Sequence, residues 1–244
     1  MLPKDRKTIR AYTDAPVDDS LLQRLLADAM HAPTMGNMQL YSVIVTRNAE
    51  MKRRLAPLHF GQPMVENAAA VLTFCADFHR FTQWCRLRQA DAGYDNLLSF
   101  LNAAADTLLL TQTFITLAEG AGLGTCYLGT VLYNPQGIID LLHLPTLTFP
   151  LATITVGWPD EDPAPTDRLP VEGLIHQETY HDPTAEALDA LYAAKEALAE
   201  NRQFVEINHK DNLAQVFTDC RYTRRDNEAL SATILETLKR QQFL

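Results

Sequence analysis

Arg6, Thr8 and Arg10 alternate with Lys7 and Ile9 near the start of the chain. In an extended backbone successive side chains point to opposite faces, so these three would share one edge. Two guanidinium forks and a hydroxyl on one edge form a cradle for an anion, either a phosphate or an electron-rich ring edge. The same alternation also describes an ordinary solvated surface, so spacing alone leaves both readings open.

Other groupings say less. Gly120-Ala121-Gly122-Leu123-Gly124 lacks the glycine spacing of a dinucleotide fingerprint. It also follows a predicted helix, where that fingerprint requires a strand, so it reads as a helix end and a turn. His176, Glu178 and His181 carry metal-ligand chemistry, but no further Cys/His cluster completes a set, and no metal is expected. No Gly-x-Ser-x-Gly elbow is present and no cysteine sits in a nucleophile context, so no amino-acid nucleophile or proton donor is nominated. Arg221, Arg224 and Arg225 beside Tyr222 could meet a 2′-phosphate, or could simply be the solvated start of a helix.

The elements that must position these residues can be read from the pattern. With 244 residues, 47% of them hydrophobic, the chain can bury one large core, with or without an appendage. The net charge is -9 and no long Lys/Arg block occurs, which excludes a nucleic-acid surface. Apolar stretches are interrupted well before the length of a membrane span, and no signal-peptide pattern opens the chain. Cys75, Cys85, Cys126 and Cys220 share no close spacing and read as reduced thiols, so a soluble, cytoplasmic protein is expected.

Asp18 and Asp19 precede an apolar repeat that predicts a helix from about Asp19 to Met30. Residues 31–39, with Pro33, Gly36 and Asn37, predict a loop. Strands are expected over 41–46, 69–76, 125–128 and 149–159. Residues Tyr94 to Gly120 predict one long buried helix with Leu97, Leu98, Leu101, Ala104, Ala105, Leu108, Leu109 and Ile115 on its apolar stripe. Asn134 opens a shorter helix that ends near His143, and helical segments over about 184–199 and 227–244 follow. The expected division is a core over residues 1–182 and a helical C-terminal excursion over 183–244.

Taken in order, these motifs resemble the nitroreductase superfamily, in its branch of NADPH-dependent flavin reductases and oxygen-insensitive nitroreductases. Arg6-Lys7-Thr8-Ile9-Arg10-Ala11-Tyr12 is similar to that family's opening, and His31 to Gln39 is similar to its Ala-Pro-Ser/Thr-Ser-x-Asn-x-Gln loop. Further matches are His59-Phe60-Gly61-Gln62, Phe74 to Asp77, Gly122 to Gly129, Val156 to Pro159, and Arg168-Leu169-Pro170 with His176-x-Glu178-x-Tyr180.

The resemblance implies an α+β fold, a mixed, mainly antiparallel sheet flanked by helices, built as an intertwined homodimer with FMN at the interface. It implies that Arg6, Thr8 and Arg168 hold the phosphate, with Lys7 taking a share if the register differs. Arg10 would approach the ribityl chain and the pyrimidine edge, and Gln62 that same edge. Pro33, Thr34, Met35, Asn37 and Gln39 would come from the partner subunit. Tyr127, Leu128, Gly129 and Thr130 would line the other side. Thr166 stands where family members often carry a Lys, and Met35 where a small residue is expected. The activity implied is a ping-pong transfer of hydride from NAD(P)H, with NADPH favoured, to a nitroaromatic, quinone or flavin acceptor. Dehalogenation or dehydrogenation on the same fold and a non-catalytic FMN-binding dimer are the rival readings.

Overall fold

Four strands form one sheet: β1 (Tyr41–Thr46), β2 (Ala70–Asp77), β3 (Gly124–Leu128) and β4 (Thr148–Gly157). The computed structural model describes residues 5–244, so the first four residues of the expected core lie outside the described ones. The sheet order is β1-β2-β4-β3, and all three pairings are antiparallel. Every residue of β2 and β4 is buried. That is why both segments read in the sequence as continuous apolar runs rather than as alternating ones.

The helices in chain order are α1 (Asp19–Ala29), α2 (Ala49–Leu55), α3 (Pro63–Asn67), α4 (His79–Leu87), α5 (Leu97–Gly120) and α6 (Pro135–Leu142). There follow α7 (Ala185–Glu196), α8 (Ala199–Ile207), α9 (Leu213–Val216) and α10 (Arg224–Arg240). Helix α1 begins where the Asp18 carboxylate accepts the amides of Ser20 at 2.7 Å and Leu21 at 3.3 Å. Helix α6 begins in the same way, with Asn134 accepting from the Gly137 amide and Pro135 in the first turn. It ends at His143, whose φ of 53° is left-handed.

Helix α5 corrects one expectation. It starts at Leu97, after the Asn96 side chain accepts the Ser99 amide at 3.0 Å, and not at Tyr94. Its buried face is Phe100, Ala103, Asp106, Thr107, Leu110, Thr111, Phe114, Ile115, Ala118 and Glu119. Leu97, Leu98, Leu101, Leu108 and Leu109, which the periodicity put inside, are exposed. The helix is apolar around most of its circumference, so a hydrophobic count alone cannot choose which stripe meets the sheet. The choice falls to Phe114, whose ring centroid lies 5.7 Å from that of Phe74 on β2. Helices α2, α3, α4, α8 and α9 have no counterpart among the expected elements.

The chain divides into two compact units, one of residues up to Pro165 together with Leu230–Leu244, the other Thr166–Ala229. The expected division at residue 182 falls inside the second unit, and residues 230–244 group with the first. In the first unit, Phe243 is fully buried with Phe100, Phe149 and Leu238. Among the described residues no helix is long and apolar enough to cross a membrane.

Candidate functional site

The N-terminal arm is fixed by β3 and β4. The Ile9 amide donates to the Thr125 carbonyl at 3.0 Å and the Thr13 amide to the Trp158 carbonyl at 2.9 Å. The Tyr12 hydroxyl bonds the Ile9 carbonyl at 2.8 Å and Thr155 Oγ1 at 2.7 Å. Ile9 enters the core opposite Gly124, where an added Cβ would sit 2.7 Å from Ile9 Cγ2. Glycine there is a requirement of close approach.

With Ile9 turned inward, Arg6 and Thr8 fall together, as the alternation predicts. Arg6 Nη1 donates to Thr8 Oγ1 at 3.4 Å. Arg6 Nε also lies 3.3 Å from Oε1 of Glu119, a buried carboxylate that the sequence reading passed over. Burial raises the Glu119 pKa, while the Thr125 hydroxyl and Arg6 pull it down. Lys7 is drawn into an ion pair with Asp162. The amides of Arg10 and Ala11 both donate to Glu161, and those two bonds hold its carboxyl below the usual range. The exposed Arg10 guanidinium has no hydrogen bond or ion pair among the described residues.

A second cluster gathers Gln62 and Thr130 around His59. The turn after His59 carries two left-handed residues, Phe60 at φ 60° and Gly61 at φ 65°, which return the chain so that Gln62 faces His59. Gln62 Nε2 donates to the His59 carbonyl at 3.0 Å and to Thr130 Oγ1 at 3.4 Å. His59 Nδ1 lies 2.8 Å from the same hydroxyl. Both acceptors claim the amide nitrogen, so the Gln62 carbonyl oxygen is the atom left to bond elsewhere. Burial holds the His59 pKa down to about 4, so the ring is neutral at pH 7, and its Nε2 is buried with no hydrogen-bond partner among the described residues. Lys52 steadies the helix after Gln62 by donating to the carbonyls of Glu66 and Ala68, each at 2.6 Å.

At the end of β3, Tyr127 and the following Gly129 are exposed, while the Leu128 side chain packs in the cluster that contains Ile9, Val65 and Val131. Leu128 therefore offers its backbone rather than its side chain. A Cβ built on Gly129 would meet only Tyr127 Cε1, at 4.0 Å. That leaves room for a flat group against the main chain.

The loop of residues 33–39 forms a pocket of about 530 Å³ lined by Met30, His31, Ala32, Pro33, Thr34, Asn37 and Gln39. Gly36, Asn37 and Gln39 all have φ near +55°. Glycine takes up such backbone freely and asparagine tolerates it, but a glutamine holds it only where neighbours over-determine it. Here buried Asp106 accepts the Met35 amide at 2.7 Å with one oxygen and the Leu40 amide at 3.2 Å with the other. Arg80 donates to the carbonyls of Gln39 and Tyr41. Met35 is exposed, and Thr34 Oγ1 is buried without a hydrogen-bond partner among the described residues. Among the described residues no hydrogen bond or ion pair joins this loop to Arg6, Thr8, Gln62 or Thr130.

In the second unit, Arg168 Nη1 donates to Thr166 Oγ1 and the Asp167 carbonyl, each at 2.7 Å. The guanidinium of Arg221 lies over the Phe204 ring at 4.0 Å, Arg224 pairs with Glu228, and Arg225 with Asp226. His176 Nδ1 accepts the His181 amide at 3.2 Å. Among the described residues no group of three or more His, Cys, Asp or Glu side chains converges on a metal position.

The sequence reading did not nominate Glu119, Asp106 or His59. The first two are the only charged residues of α5, and that was the available signal. His59 was quoted within a motif but given no task.

Residues 4–158 match the model of the Nitroreductase family. FMN reductase [NAD(P)H] of Bacillus subtilis is 37% identical over 182 residues, 72% of each chain. Oxygen-insensitive NADPH nitroreductase of Salmonella typhimurium is 35% identical over 194 residues, 80% of this chain and 78% of that one. A solved chain from Bacteroides fragilis NCTC 9343 is 60% identical, with a TM-score of 0.98 over 99% of this chain and 98% of its own. The arm, the glutamine turn and the loop behind Asp106 thus stand on a known scaffold, and the chain belongs to the nitroreductase family.

Proposed function

We propose that this protein is an FMN-dependent oxidoreductase that takes hydride from NAD(P)H and delivers it to a small oxidised acceptor such as a nitroaromatic, a quinone or a free flavin. The observation that carries the reading is the arm itself, where Arg6 and Thr8 meet while the exposed Arg10 guanidinium makes no hydrogen bond or ion pair among the described residues. The residues fit FMN on the structure's own terms. A basic edge awaits an anion, the Gln62 oxygen is left over, and Gly129 leaves open space beside the main chain.

Arg6 and Thr8 would hold the phosphate, with Arg168 as a further ligand by resemblance. Arg10 would lie at the ribityl chain and the pyrimidine edge, where positive charge favours the reduced, more anionic state. Gln62 and Thr130 would bond the same cofactor, with Tyr127, Leu128 and Gly129 along one side. Pro33, Thr34, Met35, Asn37 and Gln39 would reach the site from a second subunit. The leucines exposed on α5 suit such a homodimer, since a contiguous apolar face asks for a cover. The flavin, when bound, supplies the hydride chemistry. The protein orients, stacks and excludes water, with donor and acceptor using one site in turn. Four free cysteines fit a reducing cytosol.

The purified protein is expected to be yellow, and the pair Arg6→Ala and Arg168→Ala to bleach it. A colourless wild-type protein that also ignores added FMN would defeat the proposal. NADPH is the proposed donor, through the arginines at 221, 224 and 225. Equal kcat/KM for NADH and NADPH would remove that assignment and leave the rest standing.

A further inference from the structure

Glu119 is a buried carboxylate for which the proposed cycle has no use. It closes helix α5 and is 7% exposed. Its Oε1 lies 3.3 Å from Arg6 Nε and accepts the Thr125 hydroxyl at 2.6 Å. Thr125 is itself fully buried, and its carbonyl accepts the Ile9 amide of the arm at 3.0 Å. One strand residue therefore holds the arm with its backbone and the carboxylate with its side chain.

A guanidinium is planar, and its five N–H donors form a rigid fork. An ion pair at 3.3 Å between Nε and a carboxylate that is itself held by Thr125 restricts where the two Nη groups can point. Nη1 already leans on Thr8 Oγ1. A free arginine would give up several rotamers on meeting a phosphate, whereas a tethered one has given them up in advance. The carboxylate cannot be a phosphate ligand itself, because like charges repel.

We propose that Glu119 is a positioning residue that aims the Arg6 fork at the phosphate of FMN, with Thr125 locking the carboxylate in place. The inference rests on the reading that Arg6 binds that phosphate. It adds a three-part relay, Thr125 to Glu119 to Arg6, to a site otherwise made of direct contacts.

Dissociation constants of FMN and riboflavin, which lacks the phosphate, separate the two claims. Arg6→Ala should abolish most of the preference for FMN over riboflavin; if the preference survives, the phosphate reading fails and the relay with it. Glu119→Ala should weaken FMN about tenfold and leave riboflavin within about twofold, the size expected for one charge-assisted bond. In the Arg6→Ala background the same change should add nothing, since its effect passes through Arg6. Glu119→Gln keeps an oxygen for Arg6 Nε and should retain FMN within about threefold. Thr125→Val, close to isosteric, gives a second view should Glu119→Ala not fold, with a loss confined to FMN. Equal weakening of both ligands, tighter FMN binding in Glu119→Ala, or an unchanged effect without Arg6 would each overturn the relay.

Discussion

Lowering the pH from about 7 to about 4 should cost the fold about 3 kcal/mol through His59 alone. In the unfolded chain the imidazole takes up a proton as the pH falls through its ordinary 6.5, whereas burial keeps the folded ring neutral down to about 4. Proton uptake in that window therefore favours the unfolded state. Stability is fully present above pH 6.5 and drains away as the pH drops to about 4. Denaturant midpoints across this range, for wild type and for His59→Gln, isolate the contribution from that of the carboxylates. The wild type should lose about 3 kcal/mol more than the variant. Parallel losses in the two proteins would remove His59 as the cause. The folded site should change only as the pH approaches 4, where the ring takes up a proton at a buried Nε2 that has no hydrogen-bond partner among the described residues.

Asp106→Ala should destabilise the first unit by about 3 kcal/mol, by stripping two backbone amides of their acceptor. The left-handed residues Gly36, Asn37 and Gln39 then lose the clamp that holds them, and the loop relaxes toward ordinary backbone. Asp106→Asn is the sharper variant. Each carboxylate oxygen accepts a different amide, and an asparagine can replace only one of them while turning its own N–H groups toward the other. It should therefore lose at least half as much as the alanine variant. Amide hydrogen exchange at Met35 and Leu40 reads the effect directly, with protection lost at both positions. Full protection in Asp106→Asn would show that something other than this carboxylate holds the loop.

The parts of the fold visible in the sequence are those set by neighbours along the chain. Asp18 and Asn134 mark helix starts because a capping side chain bonds amides two or three residues away. The alternation of Arg6, Thr8 and Arg10 around an inward Ile9 is equally local. The parts that stayed hidden depend on distant partners. Nothing near Glu119 announces Arg6, more than a hundred positions earlier, and nothing near Asp106 announces the loop whose Met35 amide it accepts, 71 positions earlier in the chain. The exposed leucines of α5 failed for a different reason. That helix has two apolar stripes, and only the packing of Phe100, Leu110 and Phe114 decides which of them turns inward.

Residues 230–244 group with the first unit, although Thr166–Ala229 lies between them and the rest of it. The Leu147 amide donates to the Gln241 carbonyl at 2.8 Å, and the Phe243 ring centroid lies 5.3 Å from that of Phe100. Synthesis runs from the N-terminus, so on the ribosome the first unit has made its whole sheet before these residues exist. The pocket around Phe100 and Phe149 must stay open while the second unit is translated, a period in which that apolar surface is free to meet other chains. Closure waits for the Phe243 ring, which is made only after the whole of the second unit.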